Sequence, residues 1–436
     1  MRTPSELSPR QLTARSPTLG RSARLYLLAL LAPFVSVVLA VLRPRDPASR
    51  NLVWIFTVYF GAAFYMAANS ASDSVRYAEW LQEMHQSDFG LGDLLGLFFS
   101  QGSKYQDVYQ PLLTYVISLV TDEYRILFAA FGLLFGYVYS RNVWFLIDRI
   151  PGRFGALVVF LLVAYAFHVN IGSGLNGVRM WTALHVFVFG FLHYHATGRR
   201  KYLAIVLATP LIHFSFWLAC FVTAAYFLVR RFGLAVYVFF LISMLGAALD
   251  LSTVQTLMGY LPLPIEERAS SYIGAADANP DVMEDRRNSA IWFLQLNHWL
   301  TAAFFTFSAS WMVWRGCLRQ HGGLVRNLLV FGMLLYGVIN LVSYIPSLGR
   351  FYALAEMLLL AALILFVAVG AGRKRLDRQV MAGASLMLIL NLALGVRFML
   401  GFASIWLILG NFFLAPFTSA DQSLYELIFY VLRGMR

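Results

Sequence analysis

The chain has 436 residues, of which 59% are hydrophobic and only 13% charged, and its mean hydropathy is +0.66. A soluble surface needs roughly 25% charged residues, so lipid must solvate much of this protein, and the composition reads as an all-α polytopic membrane protein. The net charge of +12 sits mostly in short turns between apolar runs, which excludes a basic nucleic-acid-binding domain and fits retained cytoplasmic loops.

Residues 1–24 form a basic N-terminal extension with five Arg, one Glu and three Pro. The apolar run Leu25–Leu42 ends at Arg43-Pro44-Arg45 without a small-residue cleavage motif, so it reads as a retained first span and not a signal peptide. Its two basic flanks conflict, because a crossing helix cannot keep both on the cytoplasmic side. An external N-terminus is favoured, since the following acidic segment then also emerges outside.

A second run at 51–69 leads into the polar segment 70–110, where six acids face only Arg76 and Lys104. Net negative charge places this segment outside. Asp73-Ser74-Val75-Arg76-Tyr77 either caps a helix start or forms a polar lip for a hydroxyl-rich substrate. Lys104, Asp107, Tyr109, Gln110 and Pro111 lead into the short apolar segment 112–120, too short to cross and read as re-entrant or interfacial.

Runs at 125–147, 154–171 and 178–195 are each near the ~20 residues that a spanning helix needs. Gly132 and Gly136 have the spacing that serves helix packing. Between the last two runs lies His168-Val169-Asn170-Ile171-Gly172-Ser173-Gly174-Leu175-Asn176-Gly177-Val178-Arg179. Its glycines permit close approach, and Asn176-Gly177 predicts a tight turn. Arg179 either snorkels to the interface or reads anionic oxygens with its guanidinium fork.

Both Lys201 and Arg230–Arg231 look cytoplasmic, yet only 202–229 separates them. Pro210 removes a helix donor, so two half-helices entering and leaving near Pro210–Phe214 would restore parity; one long tilted helix that leaves Arg230 and Arg231 outside is the alternative. His213 in this break is either a core histidine or a proton carrier.

A run at 231–248 precedes a second acidic segment, 249–290, with seven acids against three Arg, also read as external. Asn297 and His298 lie in the run at 291–314, and a further run follows at 325–345. Arg350 opens the run at 350–370 on the outer side, where the positive-inside rule does not explain it. Tyr352 and the intramembrane acid Glu356 follow; an acid there needs a partner. Runs at 380–400, containing Arg397, and near 402–418 complete the count, with residues 419–436 as a cytoplasmic tail. About 11–14 transmembrane segments are expected in a single membrane-embedded domain over residues 25–418. No nucleotide-binding loop, HExxH motif or GxSxG elbow is present, and the two cysteines suggest neither disulfides nor a thiolate metal site.

Asp73-Ser74-Val75-Arg76-Tyr77, Gln110-Pro111, Arg179 after its Gly/Asn turn, Ile212-His213-Phe214-Ser215 and Arg350-Phe351-Tyr352 occur in an order that resembles the EpsG-like family of bacterial polysaccharide polymerases, related in function to the Wzy O-antigen polymerases. The resemblance covers roughly residues 50–365. It departs at position 110, where Gln stands in place of an expected acidic residue, and in the Arg-rich N-terminal extension. It implies a GT-C-like architecture in the bacterial cytoplasmic (inner) membrane. The implied activity is a glycosyltransferase that polymerises undecaprenyl-diphosphate-linked oligosaccharide repeats at the periplasmic face, without nucleotide sugar or cofactor. The implied partners are the lipid-linked donor and acceptor, membrane lipids, a chain-length regulator and a flippase, with no nucleic acid. Arg179 and Arg350 would then stabilise leaving-group charge, His213 would accept a proton or hold diphosphate, and Asp73 would orient sugar hydroxyls or act as base. Arg76, Tyr77, Lys104, Gln110, His168, Asn170, Asn176, Tyr352 and Glu356 would bind substrate. A transporter or flippase for a lipid-linked or polar substrate, and a glycosyltransferase using a lipid-phosphate sugar donor, remain the alternatives.

Overall fold

A computed structural model describes residues 19–67, 72–87, 89–99, 107–245, 292–319, 323–342, 348–368, 375–418 and 420–434. The segment 249–290, Lys104, Tyr344 and Pro346 lie outside these residues. Among the described residues the protein is all-α; the pairing of Phe64 with Ala403 is an isolated antiparallel bridge and not a sheet. Among the described residues, five helical stretches are long and apolar enough to cross a membrane: Tyr124–Ile147, Ala156–Asn176, Leu324–Leu341, Leu348–Ala368 and Leu376–Gly401. Shorter apolar helices accompany them, so the protein is a multi-pass membrane protein. The residues form two compact units. The first comprises residues up to Gly152, Tyr165–Trp217 and the residues from Leu392 onward; the second comprises Arg153–Ala164 and Leu218–Asn391.

The first unit is built on two antiparallel helices, α3 (Ser49–Ala62) and α7 (Tyr124–Ile147). α1 (Leu19–Leu31), α2 (Pro33–Leu42), α4 (Asp73–Gln86), α5 (Leu91–Phe99) and α6 (Tyr109–Ser118) precede or flank them. The α3–α7 approach is set by small residues. A Cβ at Gly61 would collide with the Phe128 carbonyl, and one at Gly132 would lie 2.5 Å from the Thr57 carbonyl oxygen. At Gly136 it would meet the Thr57 side chain at 2.6 Å. The expected packing role of Gly132 and Gly136 is therefore observed, Gly132 against backbone and Gly136 against the Thr57 side chain. Trp54 donates from Nε1 to the Leu133 carbonyl at 2.8 Å, and Arg141 donates to Asn51 at 2.7 Å near the other end.

The expected first span is not one crossing helix. Pro33 ends α1, because it lacks an N–H and forces Ala32 out of the helical region; Ala32 has φ −143° and ψ 71°. Asn51, in the first turn of α3, donates to the Tyr26 hydroxyl of α1 at 3.0 Å. Ser49, at the same end of α3, donates to the Arg43 carbonyl just past α2 at 2.8 Å. Both arms therefore descend to one end of α3, and the run is a re-entrant helical pair. The ten residues of α2 rise about 15 Å, half the hydrocarbon thickness. This removes the charge conflict: Arg24, Arg43, Arg45 and Arg50 share one end, where Arg45 donates to the carbonyls of Ile150 and Gly152.

The expected span near 402–418 is also corrected. The Phe402 carbonyl accepts from the Tyr65 N–H at 3.0 Å, beyond the far end of α3. The chain then passes inward, where Tyr59 donates its hydroxyl to the Trp406 carbonyl and Phe412 N–H meets the Leu30 carbonyl at 3.4 Å. It returns to the same end, since Leu424 N–H donates to the Ala403 carbonyl at 2.7 Å and Tyr65 donates to the Asp421 carbonyl at 3.4 Å. Gly410 and Asn411 interrupt the helix. Freed backbone groups are satisfied locally, with Asn411 Oδ1 accepting from Phe413 and Leu414 N–H at 3.0 and 3.1 Å, as apolar surroundings demand. The C-terminal tail therefore starts at the end of α3 opposite to the basic cluster, and not with the basic turns as expected.

α8 (Ala156–His168), α9 (Ile171–Asn176), α10 (Val178–Thr197) and α11 (Arg200–Leu207) follow α7. The predicted break at Pro210 is present: 3-10 turns at Thr209–Leu211 and Phe214–Phe216 flank an extended His213 before α12 (Trp217–Val229).

The second unit holds α13 (Gly233–Ser243), α14 (Trp292–Trp314), α15 (Leu324–Leu341), α16 (Phe351–Ala368) and α17 (Arg375–Ser385). α15 and α16 form its core hairpin: Gly332 admits Leu359, and every residue from Leu354 to Val367 is buried. Arg315 and Asp377 form an ion pair between the end of α14 and the start of α17. α18 (Ile389–Gly401) runs back into the first unit, followed there by α19 (Trp406–Leu409) and α20 (Leu424–Gly434).

Candidate functional site

In the first unit, residues from four separate stretches converge beside the start of α10. α4 begins at Asp73, whose acid suits the helix N-terminus. Its buried face carries Tyr77, Ala78, Leu81 and Met84. Asn176 accepts the Ser74 N–H at 3.3 Å, so the Gly/Asn turn anchors the start of α4. Asp73 pairs with Arg76, which is 68% exposed; this pair is a helix-surface contact at the rim.

The centre is Arg179. Its guanidinium meets Asp107 at 3.1 and 3.4 Å, with Asp107 almost fully buried and Arg179 about a quarter exposed. The Tyr77 hydroxyl lies beside Arg179, and burial pushes that hydroxyl's pKa up while the guanidinium opposes the shift. The Tyr109 hydroxyl lies beside Thr182, one turn further along α10. Both tyrosine rings rest against Phe131, at 5.9 and 6.1 Å. Tyr77 with Arg179 and Tyr109 with Thr182 lie close enough to interact as hydrogen-bonding pairs, but Tyr77 Oη, Tyr109 Oη, Thr182 Oγ1 and Arg179 Nε, all buried, make no hydrogen bond of good geometry. Buried polar groups are normally satisfied, so this cluster presents under-used donors and acceptors around one cation.

His213 is tied to the same neighbourhood through the backbone: Val108, next to Asp107, donates its N–H to the Leu211 carbonyl at 2.8 Å. The His213 Nδ1 accepts from Ser215 N–H at 3.2 Å and from the Ser215 hydroxyl at 2.7 Å. A neutral imidazole bound this way carries its proton on Nε2. It is then placed to donate a hydrogen bond, with its basic nitrogen already engaged.

Other sequence candidates in this unit have local partners. Gln110 is buried and donates to the Thr114 hydroxyl at 2.9 Å. Asn170 caps α9 through the Ser173 N–H at 2.9 Å and donates to the Gly395 carbonyl at 3.0 Å, clasping α18. His168 ends α8 within electrostatic reach of the buried His185.

Arg350, Tyr352 and Glu356 form a separate group in the second unit. Arg350 is exposed in a 3-10 turn before α16. Tyr352 donates to Asn340 Oδ1 at 2.7 Å, and Asn340 donates to the Ser243 hydroxyl at 2.9 Å. The Tyr352 ring also meets Tyr336 at 4.9 Å and His298 at 5.8 Å. Glu356 is buried within electrostatic reach of Tyr336 and Tyr352.

The sequence names Asp107 and Tyr109 in the polar stretch before the short apolar segment without giving either a site role, and it does not single out Thr182. Asp107 had a readable signal: a cation opening an apolar run needs a counter-charge, and Asp107 precedes the short apolar segment. Thr182 had none, because one hydroxyl in an apolar helix is ordinary. Among the described residues no group of three His, Cys, Asp or Glu side chains stands close enough to hold a metal ion. No protein-family model, curated protein or solved structure matches the chain.

Proposed function

We propose that this membrane protein is a glycosyltransferase that polymerises undecaprenyl-diphosphate-linked oligosaccharide repeats at the outer face of the bacterial cytoplasmic membrane, on a GT-C-like scaffold. The observation that carries the reading is the Arg179 cluster: one guanidinium, a buried carboxylate and three hydroxyls, in which four polar atoms lack a hydrogen bond of good geometry. A diphosphate suits the guanidinium fork, and sugar hydroxyls suit the tyrosine and threonine oxygens. The acidic charge of segment 70–110 supports an outer placement, with the basic end of α3 and α7 inside.

In this reading Arg179 stabilises charge developing on the leaving diphosphate. An acceptor hydroxyl attacks the donor's anomeric carbon, the bond to the diphosphate oxygen breaks, and the acceptor proton passes to a carboxylate or to solvent. His213, tied to this neighbourhood through the Leu211 carbonyl, helps to bind an anionic oxygen. Asp73 and Arg76 guide substrate at the rim. Arg350 belongs to the other unit's polar group and is tested by its own substitution.

The test is extension of genuine lipid-linked repeats by purified protein without nucleotide sugar. A ladder of repeat lengths is expected; single-sugar addition would point to a lipid-phosphate sugar donor. Arg179→Lys should lower extension at least about tenfold, equivalent to ~1.4 kcal/mol of transition-state binding, because lysine keeps charge but not the fork. Full activity in a folded Arg179→Lys protein would sink the proposal.

A transporter is the second reading. It is favoured by two re-entrant segments that meet inside the first unit, where the Phe412 N–H reaches the Leu30 carbonyl; broken elements of this kind line substrate paths in transporters. Substrate movement across proteoliposomes without glycosidic-bond formation would select it.

A further inference from the structure

The described C-terminal residues leave a cleft that the proposed chemistry does not use. α18 contributes Ala393, Val396 and Leu400 to it, and α20 contributes Ile428, Phe429 and Leu432. Its volume is about 240 Å³, below the ~300 Å³ of typical small-molecule pockets and suited to a single hydrocarbon chain. The stretch containing α18 is the least buried of the five spanning stretches, at 22%, and α18 itself carries no buried residue, so the cleft opens on an exposed face.

The cleft is apolar but bordered by cations. Arg397 lies over the Tyr425 ring at 5.2 Å, and Arg433 lies over Phe429 at 4.5 Å. Tyr425 and Phe429 themselves stack at 6.1 Å, so both guanidiniums lie along one aromatic wall. Among the described residues neither cation has a carboxylate within ion-pair distance. The nearby acid Glu426 is engaged at the start of α20, accepting from Ser423 N–H at 2.8 Å and its hydroxyl at 2.9 Å. A cation on a lipid-facing helix is costly unless neutralised. An exposed guanidinium above a chain-sized groove supplies the charge complement of a phosphodiester.

We propose that this cleft binds one anionic glycerophospholipid, with an acyl chain between α18 and α20 and its phosphate held by Arg397 and Arg433. α20 then acts as an interfacial helix whose apolar face, including Ile428, Phe429 and Leu432, enters the acyl boundary. This assignment is independent of the polymerase reading.

The test is native mass spectrometry of the full-length protein in detergent, titrated separately with phosphatidylglycerol and phosphatidylcholine. Wild type should retain phosphatidylglycerol at least about fivefold better, the weight of one cation at an anionic lipid surface. Arg397→Gln should lose that preference, Arg397→Lys should keep most of it, and Ala393→Trp should reduce both lipids by filling the cleft. Millimolar inorganic phosphate should not displace the lipid, because the chain supplies part of the binding. Equal retention of both lipids by wild type would overturn the proposal, as would a preference unchanged in the Arg397→Gln, Arg433→Gln double variant. Displacement by phosphate alone, or a second copy of the chain covering the cleft, would also overturn it. If Arg397→Gln fails to fold, the wild-type titration and Arg433→Gln still decide the outcome.

Discussion

The Asp107–Arg179 pair concentrates the energetic risk of the first unit in two side chains. Asp107 is nearly inaccessible, so removing it strands a cation among apolar rings. Asp107→Ala should destabilise the protein by about 3 kcal/mol, in the range for breaking a buried pair. Replacing both partners, as in Asp107→Ala with Arg179→Met, should recover much of that stability while abolishing chain extension. Chemical unfolding in detergent and the extension assay read these two effects separately; a double variant no more stable than Asp107→Ala would contradict the stranded-charge account. His213 makes a different case. Its Nδ1 caps the 3-10 turn at Phe214–Phe216, a task that Asn also performs. His213→Asn should keep the melting temperature near wild type, whereas His213→Ala should lose about 1 kcal/mol. Wild-type turnover in His213→Asn would confine the imidazole to capping; lost turnover in that folded variant would assign it a hydrogen bond to substrate.

Among the elements, α3 and α7 owe their contact to absent side chains. The Phe128 carbonyl occupies the space of a Gly61 Cβ, and the Thr57 carbonyl crowds that of Gly132. Backbone cannot rotate aside as a side chain can, so the helices would have to separate. Gly132→Leu should cost at least the 1–3 kcal/mol typical of overpacking, measured as a lowered unfolding midpoint, whereas Gly92→Ala, with open space around it, should change stability by less than about 0.5 kcal/mol. Equal effects at the two glycines would refute backbone contact as the cause. The re-entrant pair α1–α2 has a comparable local origin: Pro33 breaks the run, and the polar links of Asn51 and Ser49 hold both arms at one end of α3.

For the molecule as a whole, these two re-entrant segments set the sidedness of the termini. Starting from a variant lacking Cys220 and Cys317, both buried and free, single cysteines at Ser22, Pro47 and Gly152 should label with an impermeant thiol probe from one side. Cysteines at Gln82 and Tyr430 should label from the other. Labelling of Ser22 together with Gln82 would show α1 crossing after all. The polymerase reading further requires Gln82 to label from outside in intact cells.

Composition alone determined that this is a helical, multi-pass membrane protein, because 13% charge cannot solvate 436 residues. Local chemistry also pointed to the break at Pro210 and the packing glycines of α7, since each depends on near neighbours in the chain; Asp73, read as a cap or a polar lip, is the first residue of α4 after Ser72 and makes no cap bond. Counting apolar residues could not distinguish a crossing helix from a hairpin of similar apolar length, which is why Leu25–Leu42 and the run near 402–418 read as spans. Nor could it supply Asp107 as the partner of Arg179, 72 residues away, or recognise that Asn170 bonds Gly395 and Gln110 bonds Thr114. Hydropathy records what a segment buries but not which end of a neighbouring helix it returns to. That was decided by hydrogen bonds between distant parts of the chain: Tyr26 with Asn51, Phe412 with Leu30, and Leu424 with Ala403.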